Sequence, residues 1–451
     1  MNQDYNQKIP QEALVIINRL EAAGYEAYVV GGCVRDLLMG REPNDWDITT
    51  SAKPEEVKEV FEKTYDTGIE HGTVTVILDT EHYEVTTYRI EGEYKDFRRP
   101  DHVSFVEDIA LDLSRRDFTM NAIAYHPDRG FVDPYNGMKH IKEQRIKSVR
   151  EAKERFEEDA LRILRGIRFS AQLDFQIEDN TIKGIEECRH LLEYISKERI
   201  RDEFLKICLS DNPAHINKLY DLGLLEYIMP DLIAAYKTTQ NNPYHIYDVA
   251  HHSIVAMENV PKDTVLRMSA LLHDIGKPLT KSTDKKGVDH FYDHPIKSVE
   301  LSTHILKDLR FDNQTIRSVC MIVKNHDYHL THKVNRVLIK KLLNEMGEEL
   351  FDKLMSLQIA DAKAQNLAKL APKLIQVEEV KALKQSIVEN NECYSLKNLV
   401  LNGGDLIKLG IPKGKRVGET LDELLEYVMK DASKNTKEDL IVYLKNKNLT
   451  I

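Results

Sequence analysis

The sequence is short of the features that would send it to a membrane or an oxidising compartment. The opening residues, MNQDYNQKIP, contain no apolar core of the kind a secretory leader needs. No apolar run approaches the ~20 residues that span a bilayer. The five cysteines (Cys33, Cys188, Cys208, Cys320 and Cys393) are scattered, with no CxxC pair. This speaks against a zinc ribbon or a disulfide framework and for a reducing, cytoplasmic setting. There is no internal repeat and no low-complexity tract. Positive charge is outnumbered overall, 63 Lys and Arg against 74 Asp and Glu: the formal net charge is -11, which argues against non-specific binding to nucleic acid.

What is present is a long chain of ordinary globular composition. Its 451 residues, 42% hydrophobic and 30% charged, exceed one core, so two to four domains and a mostly helical protein are expected. Charge is also local. Between Lys139 and Arg168 stand ten basic and six acidic residues. That patch suits a structured RNA partner, and equally a solvated helix face.

The first part of the chain alternates elements. Pro10 opens an amphipathic helix with Leu14, Ile17 and Leu20 inside, and Gly24 ends it. A strand, Tyr28-Val29-Val30, runs into a Gly31-Gly32 turn and a short helix. A loop from Gly40 to Asn44 leads to a strand expected at Asp45-Trp46-Asp47. Pro54 starts a helix through Phe61. The segments His71 to Leu78 and Tyr83 to Arg89 read as paired strands, and Glu91 to Asp101 as a mobile loop. After about Met138 strand signals stop and helices follow one another, with breaks near Pro213, Pro230, Pro243, Pro261 and Pro295. Leu401 to Met429 shows a helix, a GIPKG turn and a helix. The expected fold is therefore a mixed α+β multidomain chain, a small α/β head before a long helical remainder.

Chemistry concentrates in a few motifs. On a strand, residues i and i+2 share a face, so Asp45 and Asp47 would point the same way. With the Gly31-Gly32-Cys33-Val34-Arg35-Asp36 turn beside them, they suit magnesium and a nucleoside triphosphate. Backbone amides of the turn bind phosphate, and Arg35 can hold a triphosphate oxygen. Glu84 is either a third carboxylate or an exposed strand residue. In Arg115-Arg116-Asp117-Phe118-Thr119-Met120-Asn121, the basic pair could meet a triphosphate and Asp117 or Asn121 a ribose hydroxyl. The plain alternative is a helix start at Thr119. In Glu158-Asp159-Ala160-Leu161-Arg162-Ile163-Leu164-Arg165-Gly166-Ile167-Arg168, Asp159 and Arg162 are i, i+3 neighbours. They are either a helix ion pair or a base reader. A carboxylate accepts and a guanidinium donates, so facing a base they would take the amino-plus-acceptor edges of cytosine and adenine and reject guanine and uracil.

GGCVRD, DWD, RRDFTMNA and EDALRILRGIRF, in this order and spacing, resemble the class II tRNA nucleotidyltransferase and bacterial poly(A) polymerase family. The resemblance implies a DNA polymerase beta-like head, with Gly32 and Arg35 on the triphosphate and Asp45 and Asp47 holding magnesium. It implies Arg116 in the nucleotide site and Asp159 and Arg162 as the amino-acid template, supported by Arg165 and Arg168. It also implies a division into head (1–150), neck (151–215), body (216–390) and tail (391–451), with the acceptor and TΨC arms of tRNA bound along it.

A second set, His252, His273, Asp274, His294, His326 and Asp361, is of metal-ligand type, suited to Mn, Fe, Ni, Mg or Zn. The segments HHS, LLHDIGKP, HFYDHPIKS, VKNHD and ADAKAQ resemble the HD phosphohydrolase superfamily. By that resemblance His252, His273, Asp274 and Asp361 bind a first divalent metal, and His294 and His326 complete or extend the site. His251 has the wrong helical phase, and His290 could stand in for His294. Within the family, CCA addition from CTP and ATP is the expectation: a long basic tail is missing, and the loop ending in Arg98-Arg99-Pro100 is present. A-addition or poly(A) synthesis is the alternative. An HD phosphohydrolase with a degenerate head, or an RNA-binding protein without catalysis, are readings of another class. The GIPKG turn with Lys413, Lys415 and Arg416 suits sequence-independent RNA-backbone contact. Neither DNA nor membrane is an expected partner.

Overall fold

Pro10 precedes α1 (Gln11–Ala22), on which Ala13, Ile16, Ile17 and Leu20 form the buried stripe. Each large aliphatic there contributes about 1.5–3 kcal/mol on burial. Gly24, at φ +95°, then turns the chain into the sheet, a position that glycine tolerates without strain. The computed structural model describes residues 5–92, 102–328 and 334–447. They fall into two compact units, Met1–Pro230 and Asp231–Ile451. No helix among the described residues is long and apolar enough to cross a membrane.

The first unit is built on β1 (Ala27–Val30), β2 (Ile48–Thr50), β3 (Thr64–Gly68), β4 (Thr73–Leu78) and β5 (Glu81–Thr87). A separate pair, β6 (Arg89–Glu91) and β7 (Val103–Phe105), follows, and β8 (Ala124–His126) and β9 (Gly130–Val132) rejoin the main sheet. Its order is β3-β4-β5-β2-β1-β8-β9. Only β2 and β5 run parallel; the other neighbours are antiparallel. All four residues of β1 are buried, as a central strand requires. α2 (Gly32–Leu38) leaves the end of β1, while α1 and α3 (Pro54–Val60) pack on β1, β2, β4 and β5. β5 alternates: Tyr83, Val85 and Thr87 face inward, His82 and Glu84 outward. The sheet thus keeps one polar, open face over β3, β4 and β5.

Short elements, α4 (Ile109–Ser114), a single 3-10 turn at Thr119–Asn121 and α5 (Gly137–Lys142), lead to α6 (Ala152–Glu158) and α7 (Leu161–Leu173). The helix start read at Thr119 is only that one turn. α7 is buried on most sides and packs against α9 (Lys197–Cys208), while α6 packs on α8 (Asp179–Cys188). Strands do not end at Met138. β10 (Arg145–Ile146) pairs in parallel with β11 (Gln176–Ile177), and each is two residues long, too short to show alternation in the sequence. α10 (Ile216–Asp221) and α11 (Leu225–Ile228) close the unit.

The second unit contains α12 (Asp231–Tyr236), α13 (Val249–Glu258), α14 (Thr264–Leu272), α15 (Lys277–Thr280), α16 (His294–Asp308) and α17 (Asn313–Asn325). A small hairpin, β12 (Lys281–Thr283) and β13 (Asp289–Phe291), stands between α15 and α16 and was also not expected. Pro295 lies in the first turn of α16 and so begins a helix. The long α18 (Arg336–Lys363) kinks at Gly347, φ +74°, and packs along α19 (Leu370–Glu389). The GIPKG turn lies between α20 (Gly403–Lys408) and α21 (Lys415–Lys430), as expected, with α22 (Lys437–Asn446) closing a core of Leu406, Leu424, Val428, Leu440 and Leu444. The expected mobile loop, Glu91 to Asp101 with Arg98-Arg99-Pro100, lies beyond Gly92 outside the described residues.

Candidate active site and metal centre

An open cleft of about 810 Å³ in the first unit gathers Gly32, Arg35, Asp45, Asp47, Glu84, Arg116, Asp159, Arg162, Arg165 and Arg168. Motifs more than a hundred residues apart thus line one wall-to-wall space. The carboxylates differ from expectation in one respect. Asp45-Trp46-Asp47 is an extended run that precedes β2, and Asp47 joins the sheet only through its carbonyl, which accepts from the Val30 N–H at 3.0 Å. The three acids still converge. Burial pushes the Asp47 carboxyl up; Arg116 opposes this and Asp45 adds to it. Desolvation, Asp47 and Asp45 push Glu84 up likewise. Three oxygen donors lining one cleft, two of them pushed up by burial and neighbouring negative charge, fit a hard divalent cation such as magnesium.

Gly31 does not act as read from the sequence. Its N–H donates to the Ile123 carbonyl at 3.0 Å, so that amide is already used. Gly32, not Gly31, lines the cleft. Gly31 sits at φ +85°, and a Cβ on it would lie 2.8 Å from Nη1 of Arg116, so the glycine makes room for that guanidinium. Arg35 donates to Asp36 through Nε and Nη2 (3.0 Å each) and to Oδ1 of Asn121 (2.8 Å). Asn121 in turn donates to Asp117 at 3.1 Å, and Arg165 Nε donates to the other Asp117 oxygen at 2.7 Å. Asp117 and Asn121 are therefore committed to holding two cleft arginines, and the ribose role read for them is not what these bonds serve. Burial would raise the Asp117 carboxyl, but Arg165 and the Asn121 and backbone hydrogen bonds hold it well below the usual range.

Asp159 and Arg162 line the cleft but do not pair with one another. Asp159 is the break between α6 and α7, at φ −135°, ψ 101°, and not a helical residue. One of its oxygens caps the Leu161 N–H at 3.1 Å, and the other accepts from Arg199 of α9 at 2.9 Å. Arg162 donates to Glu158 (2.6 Å) and to the carbonyls of Arg155 and Arg115 (3.0 Å each). Arg168 holds Glu203 at 3.2 Å. The guanidiniums of Arg35, Arg165 and Arg168 surround the Phe169 ring at 5.3, 5.5 and 4.1 Å from its centroid. Nε of Arg116, Nε of Arg168 and Nη1 of Arg199 are buried without a hydrogen-bond partner, spare donor capacity on three guanidiniums that line the cleft. Arg199, Lys206 and Phe169 also line this cleft and were not read as site residues. Phe169 was visible as the end of the GIRF motif; Arg199 and Lys206 carry no local signal.

The second unit brings His252, His273, Asp274, His294, His326 and Asp361 together from α13, the α14–α15 junction, α16, the end of α17 and α18. Two ligand groups overlap at Asp274: His252, His273 and Asp274, and Asp274, His294 and His326. Asp274 Oδ2 faces His252 (3.4 Å) and His273 (3.3 Å), while Oδ1 faces His294 (3.2 Å) and His326 (3.6 Å). Asp361 reaches His252 at 2.9 Å and His273 at 3.7 Å. Every histidine turns Nδ1 to a main-chain carbonyl: Ala364 (3.2 Å), Ala270 (2.8 Å), Phe291 (2.8 Å) and Val323 (2.7 Å) respectively. That leaves four Nε2 lone pairs aimed inward, with Nε2 pairs only 3.3 and 3.1 Å apart. Such an array needs protons or metal between its members, and the donor set suits one or two divalent ions. Burial lowers His273 and His294, but Asp274 with Asp361, and Asp274 with Asp327, outweigh it and hold them at about 10 and about 9.

Asp327, 3.2 Å from His294, and Lys277, 2.6 Å from Asp274, belong to this centre and were not read from the sequence. His251 points away, bonded to Asp248 at 2.7 Å. His290 does not replace His294: it pairs with Asp284 on the hairpin and stacks on Tyr292 at the rim of the cavity over the centre.

Known proteins resemble this chain over nearly its whole length. A family profile described as the poly A polymerase head domain matches residues 27–147, and one for a tRNA nucleotidyltransferase domain 2 matches 296–444. The CCA-adding enzyme of Listeria monocytogenes is 37% identical over 433 residues, covering 95% of this chain and 96% of that protein. The CCA-adding enzyme of Lactobacillus gasseri is 33% identical, with 97% of each covered. The crystal structure of the Bacillus stearothermophilus CCA-adding enzyme in complex with CTP superimposes with a TM-score of 0.73 at 30% identity, covering 97% of both chains. The Thermotoga maritima CCA-adding enzyme complexed with tRNA shares the fold, with a TM-score of 0.62 at 20% identity.

Proposed function

This chain belongs to the CCA-adding enzyme family, and on that premise we propose that its first unit adds C, C and A to the 3′ end of tRNA from CTP and ATP. The carrying observation is the single cleft lined by Asp45, Asp47 and Glu84 together with eight arginines. Asp45 and Asp47, with Glu84 beside them, would hold magnesium, which supplies charge neutralisation at the phosphates and favours ionisation of the attacking hydroxyl. The 3′-hydroxyl of the RNA attacks the α-phosphate and pyrophosphate leaves. Arg35, Arg116 and Gly32 take the charge of the leaving group. Asp159 and Arg162 select the base as an acceptor and a donor in fixed positions, and Arg165 and Arg168 hold the wall behind them. Arg199 fixes the Asp159 carboxylate, so it is a positioning residue for that choice.

The neck and the GIPKG tail are read as the surfaces that carry the tRNA acceptor and TΨC arms. The second unit is read as a phosphohydrolase. Its histidines and aspartates would hold divalent metal, which supplies a Lewis acid for a phosphate ester and its attacking water. The inward Nε2 array supports this reading, with Lys277 beside Asp274 to meet negative charge.

One gel tests the first activity. RNAs ending before CCA, after C and after CC are incubated with each labelled nucleotide. Growth of the first two with CTP and of the third with ATP is the expected result; growth by A alone, or in long A tracts, gives the alternative activities. Asp47→Ala abolishes every addition and leaves phosphate-ester hydrolysis. Persistent addition by that variant would refute the carboxylate assignment.

A further inference from the structure

A second cleft, of about 540 Å³, adjoins the first and shares its carboxylates. Asp45, Asp47 and Glu84 form its common wall with the nucleotide cleft, and Trp46, Tyr65, Thr67, Thr75 and His82 complete it. We propose that this cleft receives the 3′-terminal nucleotide of the acceptor RNA, with its base stacked on Tyr65 beside Trp46 and its ribose turned to the carboxylates. The proposal rests on the transfer reading above and adds where the nucleophile is held.

Charge separates the two clefts. Eight arginines line the first: Arg35, Arg89, Arg115, Arg116, Arg162, Arg165, Arg168 and Arg199. Among the described residues no arginine or lysine lines the second. A triphosphate therefore belongs in the first, while the second suits a base and sugar. Sheet order adds direction. The phosphate turn follows β1, the carboxylates precede β2 or lie on β5, and Tyr65 and Thr67 lie on β3, two strands beyond β5. A hydroxyl entering from the second cleft and a pyrophosphate leaving along the arginines of the first would approach and depart the α-phosphate from different directions, which is compatible with in-line displacement at phosphorus.

The surface chemistry fits a changing partner. β3 and β4 present Thr67 and Thr75, whose hydroxyls bond each other at 2.8 Å and leave acceptor capacity for a ribose hydroxyl. Tyr65 is 61% exposed, unusual for a large aromatic on a strand, and Trp46 is the chain's single tryptophan. The terminal base of the acceptor differs from one addition to the next. A hydrogen-bonding reader would reject some of those bases, whereas an aromatic face accepts all of them.

The test uses the full chain and an acceptor-stem mini-helix with a single-stranded 3′ end. Tyr65→Ala should raise the KM for this RNA about tenfold while the KM for CTP stays unchanged, and Tyr65→Phe should restore the wild-type value. Trp46 emission should change on titration with the mini-helix, and neither with a blunt-ended duplex of the same stem nor with CTP alone. An unchanged RNA KM in Tyr65→Ala, or an equal response of Trp46 to the blunt duplex, overturns the assignment while transfer stands. If the wild-type chain extends no RNA at all, the transfer reading falls and this proposal falls with it.

Discussion

Gly31 shows how one atom can decide the nucleotide site. At φ +85° with Arg116 2.8 Å from its absent Cβ, it admits no side chain without displacing that guanidinium. Gly31→Ala should lower kcat/KM for CTP about a hundredfold, as a shift of about 1 Å in a charge-bearing group does, measured as nucleotide incorporation at saturating RNA. Asp117 offers a second residue-scale outcome. Its folded carboxyl is held below its unfolded value, so the stability it contributes is fully present above the unfolded pKa of about 4 and is lost as pH falls below it. Asp117→Asn should destabilise the chain by about 3 kcal/mol at neutral pH and flatten that acid dependence, read from unfolding curves at stepped pH. The shared cleft of Asp45, Asp47, Arg35 and Gly32 was legible because these residues are near neighbours in sequence. The Arg199–Asp159 and Arg165–Asp117 pairs were not, because they join positions 40 and 48 residues apart.

At the scale of elements, the break between α6 and α7 matters more than either helix. A continuous helix would place Asp159 beside Arg162; the break hands Asp159 to α9 instead. Arg199→Ala should therefore cut discrimination of CTP and ATP against UTP and GTP about tenfold while most CTP turnover persists, in single-nucleotide competition assays. Gly276 is the matching feature of the second unit. Its missing Cβ would lie 2.4 Å from the Ser298 nitrogen and 2.7 Å from the His294 carbonyl, so α16 rests directly on the Asp274 turn. Gly276→Val should move α16 away and lower the metal content of the purified protein by about one ion per chain, while CTP addition continues. Periodicity recovered the long helices and the β4–β5 pair. It missed β3, whose residues are largely exposed, and the two- and three-residue strands, which are too short to alternate.

Across the whole molecule the arginine-lined cleft and the histidine–aspartate centre lie in separate compact units, so the activities proposed for them should be separable. Asp274→Asn should abolish phosphate-ester hydrolysis and tight transition-metal binding with CTP addition retained, the mirror image of Asp47→Ala; both activities and the bound metal are measured on each variant. That six residues of metal-ligand type, spread over more than a hundred positions, would cluster was legible from their order and type, and the structure does bring them together. Distances were not, and with them went Asp327, Lys277 and the sharing of Asp274. One detail of that centre reaches further. Because all four Nδ1 atoms are already engaged by main-chain carbonyls, the tautomers are set and the rings aligned before an ion arrives. The entropy of ordering the ligands is then met during folding and not on capture. Capture of a divalent ion would then cost the shedding of its hydration and the release of the protons that His273 and His294 hold, with little rearrangement of the side chains, so the affinity of this centre should climb steeply with pH.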